Sequence, residues 1–437
     1  MYLISHSFLN SKGIKWTQLI GLVFLFSLCS GFLYSQTSPT VTLTDTDADN
    51  LLSASDTVTI TATFSEAMVA TPTISISGVS SITNIAMLRS AGVFHQIGST
   101  ISGRVEDDNL RIAGLSEDGS TLAGYYDEPL EDLNGDGKNN RVLKVFRYKV
   151  TSNSWEQIGG DLISNSPFDT DKNLSMSSDG NILAVGLAAS NSDGDSNAGV
   201  VSVYSYDSNT NSWNQLGTSF EGDGVSTLLT KVSLSSDGTR LAIGQNRYSS
   251  PSKSQNGYLR ILDYTPTGTT SWTEIGLIVD RPSNSTLGQR VEMSGDGNTV
   301  AVLEGQSSRN NVGIRIYRYT PTGVTSWTFI GELDTTYSQS NYFGYTFSLT
   351  SDGNKIAIGE PDGRLNNSQP GRVLVYKYDT GINWDLEQTF NGETGTTDWY
   401  GGGVDISSDG NKLVIGAMEK DNSKGIVEYY EYTPSGT

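Results

Sequence analysis

Apolar and polar positions alternate along most of this chain with a period of two, the spacing of a strand that buries one face. A four-part unit recurs from residue 93 onward. A turn comes first: Ser116-Glu-Asp-Gly119, Ser177-Ser-Asp-Gly180, Ser235-Ser-Asp-Gly238, Ser294-Gly-Asp-Gly297, Thr350-Ser-Asp-Gly353 and Ser407-Ser-Asp-Gly410. A short apolar strand follows each turn, as in Leu241-Ala-Ile-Gly244 or Ile356-Ala-Ile-Gly359. After a variable stretch comes an alternating aromatic strand, such as Ile316-Tyr-Arg-Tyr319. The unit closes on a strand that opens with Trp and ends with Gly, as in Trp155-Glu-Gln-Ile-Gly159 and Trp213-Asn-Gln-Leu-Gly217. The turn glycines lie 61, 58, 59, 56 and 57 residues apart. No stretch sustains a helical period.

A fixed period with four strands per unit predicts an all-β propeller. Units starting near Leu110, Leu174, Val232, Val291 and Phe347 carry four strands each, and one starting near Val404 carries three. A matching outer strand stands at the other end of the propeller sequence: Val93-Phe-His-Gln-Ile-Gly98, with Phe94 in the Trp place. The expectation is a six-bladed ring over 93–437, with blades near 108–161, 172–218, 230–277, 289–332, 344–391 and 402–432 plus 93–98. The alternative is a seven-bladed ring cut short of its last blade. Asp-Gly between apolar runs suits a tight hairpin, so the six turn aspartates read as structural rather than catalytic. The repeated Trp rings are placed to fill the gap between neighbouring blades. Ala113, Met176, Leu234, Met293 and Leu349 are expected to face the ring interior.

Ahead of the repeat, Lys12 and Lys15 precede an apolar run from Leu19 to Cys29, with small Ser35 before Gln36. That is the layout of a secretory signal peptide over 1–35, and it predicts a secreted or cell-surface protein. No second long apolar segment follows, so no transmembrane segment is expected beyond the leader. Within 36–80, Thr40-Val-Thr-Leu-Thr44, Val58-Thr-Ile-Thr-Ala-Thr63 and Thr73-Ile-Ser-Ile76 alternate as half-buried strands. These lines resemble the first half of the bacterial Ig-like domains that serve as spacers in surface proteins, a partial Ig-like β segment.

Composition narrows the chemistry by exclusion. The 437 residues hold 28 Lys and Arg against 48 Asp and Glu, a net charge of −20. Removing 1–35 takes away two lysines and no acid, which leaves −22. Such a chain does not bind nucleic acid through its phosphates. One Cys and two His remove disulfide frameworks and most His-based catalysis. The sequence has no Gly-x-Ser-x-Gly elbow and no P-loop. The longer connections, those between strands 2 and 3 and between blades, share one face, and that face is the expected binding surface. Acids recur there, among them Asp107, Asp108, Glu360, Asp362, Glu419 and Asp421. One loop spaces oxygen donors for a hard cation: Asp132, Asn134, Asp136, the Lys138 carbonyl and Asn140, with Gly137 at the bend. Ca²⁺ takes six to eight such oxygens. Leu143 stands where an EF-hand has its bidentate Glu, and Asp193 with Asp195 forms a poorer version.

Phe343-Gly344-Tyr-Thr-Phe-Ser-Leu-Thr-Ser-Asp-Gly-Asn-Lys-Ile-Ala-Ile-Gly-Glu-Pro361 resembles an FG-GAP repeat, the unit of the integrin α-subunit propeller and its bacterial relatives. Leu287-Gly288 and Tyr400-Gly401 stand in for Phe-Gly elsewhere. The family's Ca²⁺ loops between the first two strands are here collapsed to Ser-x-Asp-Gly. The resemblance implies an adhesion or binding module that takes an extracellular protein or glycan ligand. The Ser-x-Asp-Gly-x-x-Leu-Ala segment is also similar to the repeats of TolB-like propellers. A hydrolase of extracellular polysaccharide, with carboxylates gathered in the central channel, is the competing expectation.

Overall fold

The computed structural model describes the strands within residues 1–97 by backbone alone. It describes residues 98–432 apart from 103–109, 132–139, 165–172, 188–198, 223–229, 247–248, 250–255, 267–270, 280–281, 306–312, 322–325, 335–341, 362–369, 394–397 and 421–423. The chain divides into two units, Met1–Gln96 and Ile97–Thr437. In the first, Thr40–Thr44 pairs antiparallel with Thr57–Thr63, and Thr73–Ile76 with Ile82–Ala86. The apolar run of the expected leader lies outside the described residues.

The second unit is a six-bladed β-propeller built from antiparallel meanders. Blade 1 runs Leu110–Leu115, Thr121–Glu131, Asn140–Lys149 and Ser154–Gln157, and blade 2 runs Leu174–Met176, Ile182–Leu187, Val200–Asp207 and Ser212–Gln215. Blade 3 comprises Thr230–Leu234, Arg240–Gln245, Tyr258–Thr265 and Ser271–Ile278. Blade 4 comprises Leu287–Met293, Thr299–Glu304, Gly313–Thr320 and Ser326–Asp334. Blade 5 follows with Thr346–Leu349, Lys355–Glu360, Arg372–Tyr378 and Trp384–Asn391. Blade 6 shows three strands among the described residues: Tyr400–Ile406, Lys412–Ala417 and Ile426–Glu431. No helix of the described residues is long and apolar enough to cross a membrane.

Alternation along each strand sends one apolar set into each seam between blades, where it packs against the neighbour's set. Ala301, Ile314 and Ile316 of blade 4 meet Phe347, Ile356 and Ile358 of blade 5 in one such cluster. Burying a side chain of this size contributes about 1.5–3 kcal/mol, so five such seams carry most of the stabilisation.

The Trp strands lock the seams, as their spacing predicts. Each Trp tilts against a Tyr of its own blade, from Tyr148–Trp155 to Tyr378–Trp384, with centroids 5.3–5.6 Å apart. Its other neighbour is the glycine that ends the outer run of the preceding blade. A Cβ added to Gly159, Gly276 or Gly331 would sit 2.3–2.5 Å from the Trp ring of the next blade. Trp213 and Trp384 also donate Nε1–H to the carbonyls of Ile158 and Ile330 at 3.0 and 3.1 Å. Only Gly leaves space for the ring.

The expected channel lining is corrected here. Leu234, Met293 and Leu349 point into the seam clusters rather than into the ring, Met176 packs against another seam, and the Ala113 side chain is not described. The alternate positions join neighbouring first strands. Ser175 Oγ accepts from the Leu234 amide, Ser233 Oγ accepts from the Met293 amide, and Ser348 donates to Asp405. First strands in a narrow ring come within hydrogen-bond reach, so these positions are polar and the apolar ones turn outward into the seams.

Candidate ligand-binding site

The six Ser-x-Asp-Gly turns gather at one end of the ring. In every turn the Asp accepts from the Ser or Thr hydroxyl two residues before it, at 2.5–2.7 Å. It also accepts from the amide two residues after it, at 2.8–3.0 Å. The glycines adopt φ of 63–71°, the region that favours Gly. Burial pushes these carboxyls up, but the hydroxyl and amide donors outweigh it and hold Asp118, Asp179, Asp237 and Asp352 below their ordinary range. At Asp409 the Ser407 hydroxyl leads and the direction is the same.

A backbone relay joins the tips of these turns from blade to blade. Asp118 N–H donates to Ser178 O, Ser178 to Ser236, Ser236 to Gly295, Asp296 to Ser351, and Ser351 to Ser408, all within 2.8–3.1 Å. A Cβ on Gly295 would sit 2.2 Å from Ser351 Oγ and 2.6 Å from Ser236 Oγ, so both hydroxyls would have to turn aside. Glu117 accepts from Ser236 Oγ at 2.9 Å and from Ser408 Oγ. The turn end thus gathers hydroxyls around one exposed carboxylate.

At that opposite end the chain enters blades 4, 5 and 6 through strained or aromatic residues. Thr286 and Trp399 adopt φ of 48° and 57°, a region that bulky and β-branched residues avoid. Each stands just before a Leu-Gly or Tyr-Gly pair that seats the entering strand. Such strain persists only where surrounding contacts hold it, and it clusters at ligand sites. Around Trp399, Tyr342 and Tyr345 of the blade 5 entry lie at 5.2 and 5.6 Å between centroids. The Arg290 guanidinium stands 5.9 Å over the Tyr345 ring. Thr286 Oγ1 donates to the Gly305 carbonyl at 2.6 Å and accepts from Gln289 at 2.9 Å.

A buried acid completes the group. Asp398 Oδ1 accepts from the Tyr400 amide at 3.3 Å. Its Oδ2 has no hydrogen-bond donor among the described residues, and the nearest cation, Lys420 Nζ, is 3.7 Å away. Lys420 is held mainly by Glu393 at 2.9 Å, and that bond raises its affinity for a proton. A buried carboxylate oxygen lacking a donor is costly. A ligand hydroxyl or amine would satisfy it. The two half-buried tyrosines, backed by the buried Trp399, form a surface that can stack an apolar ring face, and the buried acid lies next to that Trp in the chain.

Of the residues singled out by spacing, most are not described. Asp132, Asn134, Asp136 and Lys138 lie outside the described residues, as do Asp193 and Asp195; Asn140 opens the third strand of blade 1, paired with Glu131. Among the described residues no three His, Cys, Asp or Glu gather to hold a metal. Glu360, expected on the acidic rim, is fully buried and paired with Arg372 at 2.6 Å, because it ends an inner strand rather than starting a loop.

No protein-family model matches this chain, and no curated protein is similar to it. Solved structures are similar at the level of overall arrangement. The periplasmic gluconolactonase PpgL of Pseudomonas aeruginosa is 16% identical over 74% of this chain and 82% of its own, with a TM-score of 0.41. A TolB-like protein of Agrobacterium tumefaciens is 14% identical over 75% and 91%, with a TM-score of 0.36. A prolyl endopeptidase is 14% identical over 74% of this chain and 40% of its own, with a TM-score of 0.45.

Proposed function

We propose that this protein is an exported binding module whose ligand, an extracellular glycan or protein, seats on the face that carries the blade entries. The observation that carries this reading is the asymmetry of the ring. One end repeats the same turn bonds in every blade, and the other carries half-buried Tyr342 and Tyr345 over the buried Trp399 ring, next to the buried Asp398 carboxylate. Stacking suits a sugar face, and an acid that lacks a donor suits a hydroxyl or an amine. The FG-GAP resemblance at Phe343–Pro361 and the leader-like first 35 residues support an adhesive role at a cell surface. Ca²⁺ on Asp132, Asn134, Asp136 and Asn140 would order the neighbouring loop in that role.

A glycan and protein array, probed with the full chain with and without Ca²⁺, tests the reading. Retained ligands should lose affinity at least tenfold with Tyr345→Ala or Asp398→Asn. A ligand whose affinity neither variant changes would remove the site from the proposal. Cleavage of an arrayed polysaccharide would favour the hydrolase instead.

A further inference from the structure

The repeat lets the innermost strands be compared position by position along two polar rows. Two residues ahead of the Ser or Thr that opens each turn stand Ser175, Ser233, Glu292, Ser348 and Asp405. Four residues ahead, about 13 Å from the turn and toward the blade entries, stand Asn173, Lys231, Arg290, Thr346 and Gly403. On blades 2 and 3 the residues between these rows pack into the seams, Leu174 and Met176 in one cluster and Val232 and Leu234 in another. Alternation therefore sends Asn173 and Ser175, and Lys231 and Ser233, to the inner wall of the ring.

On blades 5 and 6 the two rows satisfy each other. Thr346 Oγ1 donates to the Gly401 carbonyl at 3.1 Å, and Ser348 Oγ donates to Asp405 at 2.8 Å. On blades 2 and 3 polar groups are left over. Asn173 is 4% exposed, and its backbone is fixed because its carbonyl accepts from the Gly186 amide at 2.6 Å. Its side-chain Oδ1 and Nδ2 both lack a hydrogen-bond partner among the described residues. An amide buried in that way is costly and rare. Ser175 Oγ and Ser233 Oγ each accept an amide hydrogen from the next blade at 2.9 Å, which leaves each O–H to donate. Lys231, also 4% exposed, brings a cation to the level of Asn173. The bond from Leu234 N–H to Ser175 Oγ sets the first strands of blades 2 and 3 side by side, so the four side chains form one patch.

We propose that Asn173, Ser175, Lys231 and Ser233 form a site for a sugar acid, a ligand that presents a carboxylate together with ring hydroxyls. The patch is rich in donors. The Lys231 ammonium, the two serine hydroxyls and the Asn173 Nδ2 group suit the carboxylate, and Asn173 Oδ1 accepts from a ligand hydroxyl. Glu292 and Asp405 hold the same row on blades 4 and 6 and repel a carboxylate, which directs it to blades 2 and 3. The site is separate from the aromatic surface at Tyr342, Tyr345 and Trp399 and does not depend on it.

Titrating the full chain with D-galacturonate and D-glucuronate, and in parallel with D-galactose and D-glucose, isolates the carboxylate. The acids should bind at least tenfold more tightly than the neutral sugars and raise the Tm, and Lys231→Met should remove that preference. Asn173→Leu separates a ligand site from a structural one. An amide with no partner in the folded chain adds no stability through its polarity. This variant should therefore hold or raise the Tm of the unliganded chain while it weakens binding of the acids at least tenfold. Equal affinity for acids and neutral sugars would overturn the proposal, as would no binding of either acid at millimolar concentration. An Asn173→Leu variant that loses Tm and keeps its affinity for the acids would also overturn it, by showing that the amide serves the fold with ordered water as its partner.

Discussion

The two ends of this ring are built by opposite rules. At the turn end, six copies of one motif repeat the same hydroxyl–carboxylate and amide–carboxylate bonds within a few tenths of an ångström. At the other end the described entries of blades 4, 5 and 6 differ from one another. Thr286, Tyr342 and Trp399 stand at equivalent places with different chemistry, and two of them are held in unfavourable backbone conformations. Repetition here marks what holds the ring together, and departure from it marks where a ligand has something to recognise.

The largest test of that contrast is acid. A carboxyl held below its ordinary value of 3.8 in the folded state contributes stability that is full above about pH 4 and is lost as the pH falls through the lowered folded value. Five turns share this direction. The Tm should therefore stay level from neutrality to about pH 4 and then fall steeply. A Tm that already declines from pH 6 would assign the acid response to other groups.

Next in size is overpacking at the turn tips. Gly295→Val drives a side chain into Ser351 and Ser236 and should cost about 1–3 kcal/mol in chemical denaturation. An unchanged midpoint would mean that the turn tips are not packed in solution. Removing one turn acid, Asp237→Ala, should cost about 1–2 kcal/mol, since its two principal donors lose their acceptor. Substitution at the loop end should have the opposite sign. Thr286→Asn places a residue that tolerates positive φ and retains a polar side chain, and it should raise stability by about 0.5 kcal/mol. A loss there would show that the Thr hydroxyl outweighs the backbone strain.

The fold was legible because each weak local signal occurs six times. A single Ser-Ser-Asp-Gly is an ordinary turn, whereas six at a nearly constant spacing require one architecture. The placing of the Trp rings at the gaps between blades followed from the same spacing, while their tilt against a Tyr of their own blade did not. The inner lining did not, because period-two alternation says which residues share a face but not which face meets the axis. Met293 and Glu292 differ by one position and go to different surroundings. The candidate site was hidden for the converse reason. Its residues sit in connections that the repeat does not constrain, and their approach depends on three separate blade entries. One signal was available: Trp399 is the only Trp beyond the leader that falls off the repeat spacing.

The bond between Ser408 and Glu117 joins residues 291 positions apart, while the hairpins inside each blade close over a handful. Assembly should therefore separate into two regimes. Each meander forms from neighbouring sequence, and the loop-closure entropy of the last seam is met only at the end. Refolding followed by intrinsic Trp fluorescence should show early burial of rings at the internal seams, with the environment of Trp155, which packs on Gly98, reaching its native state in the slowest phase.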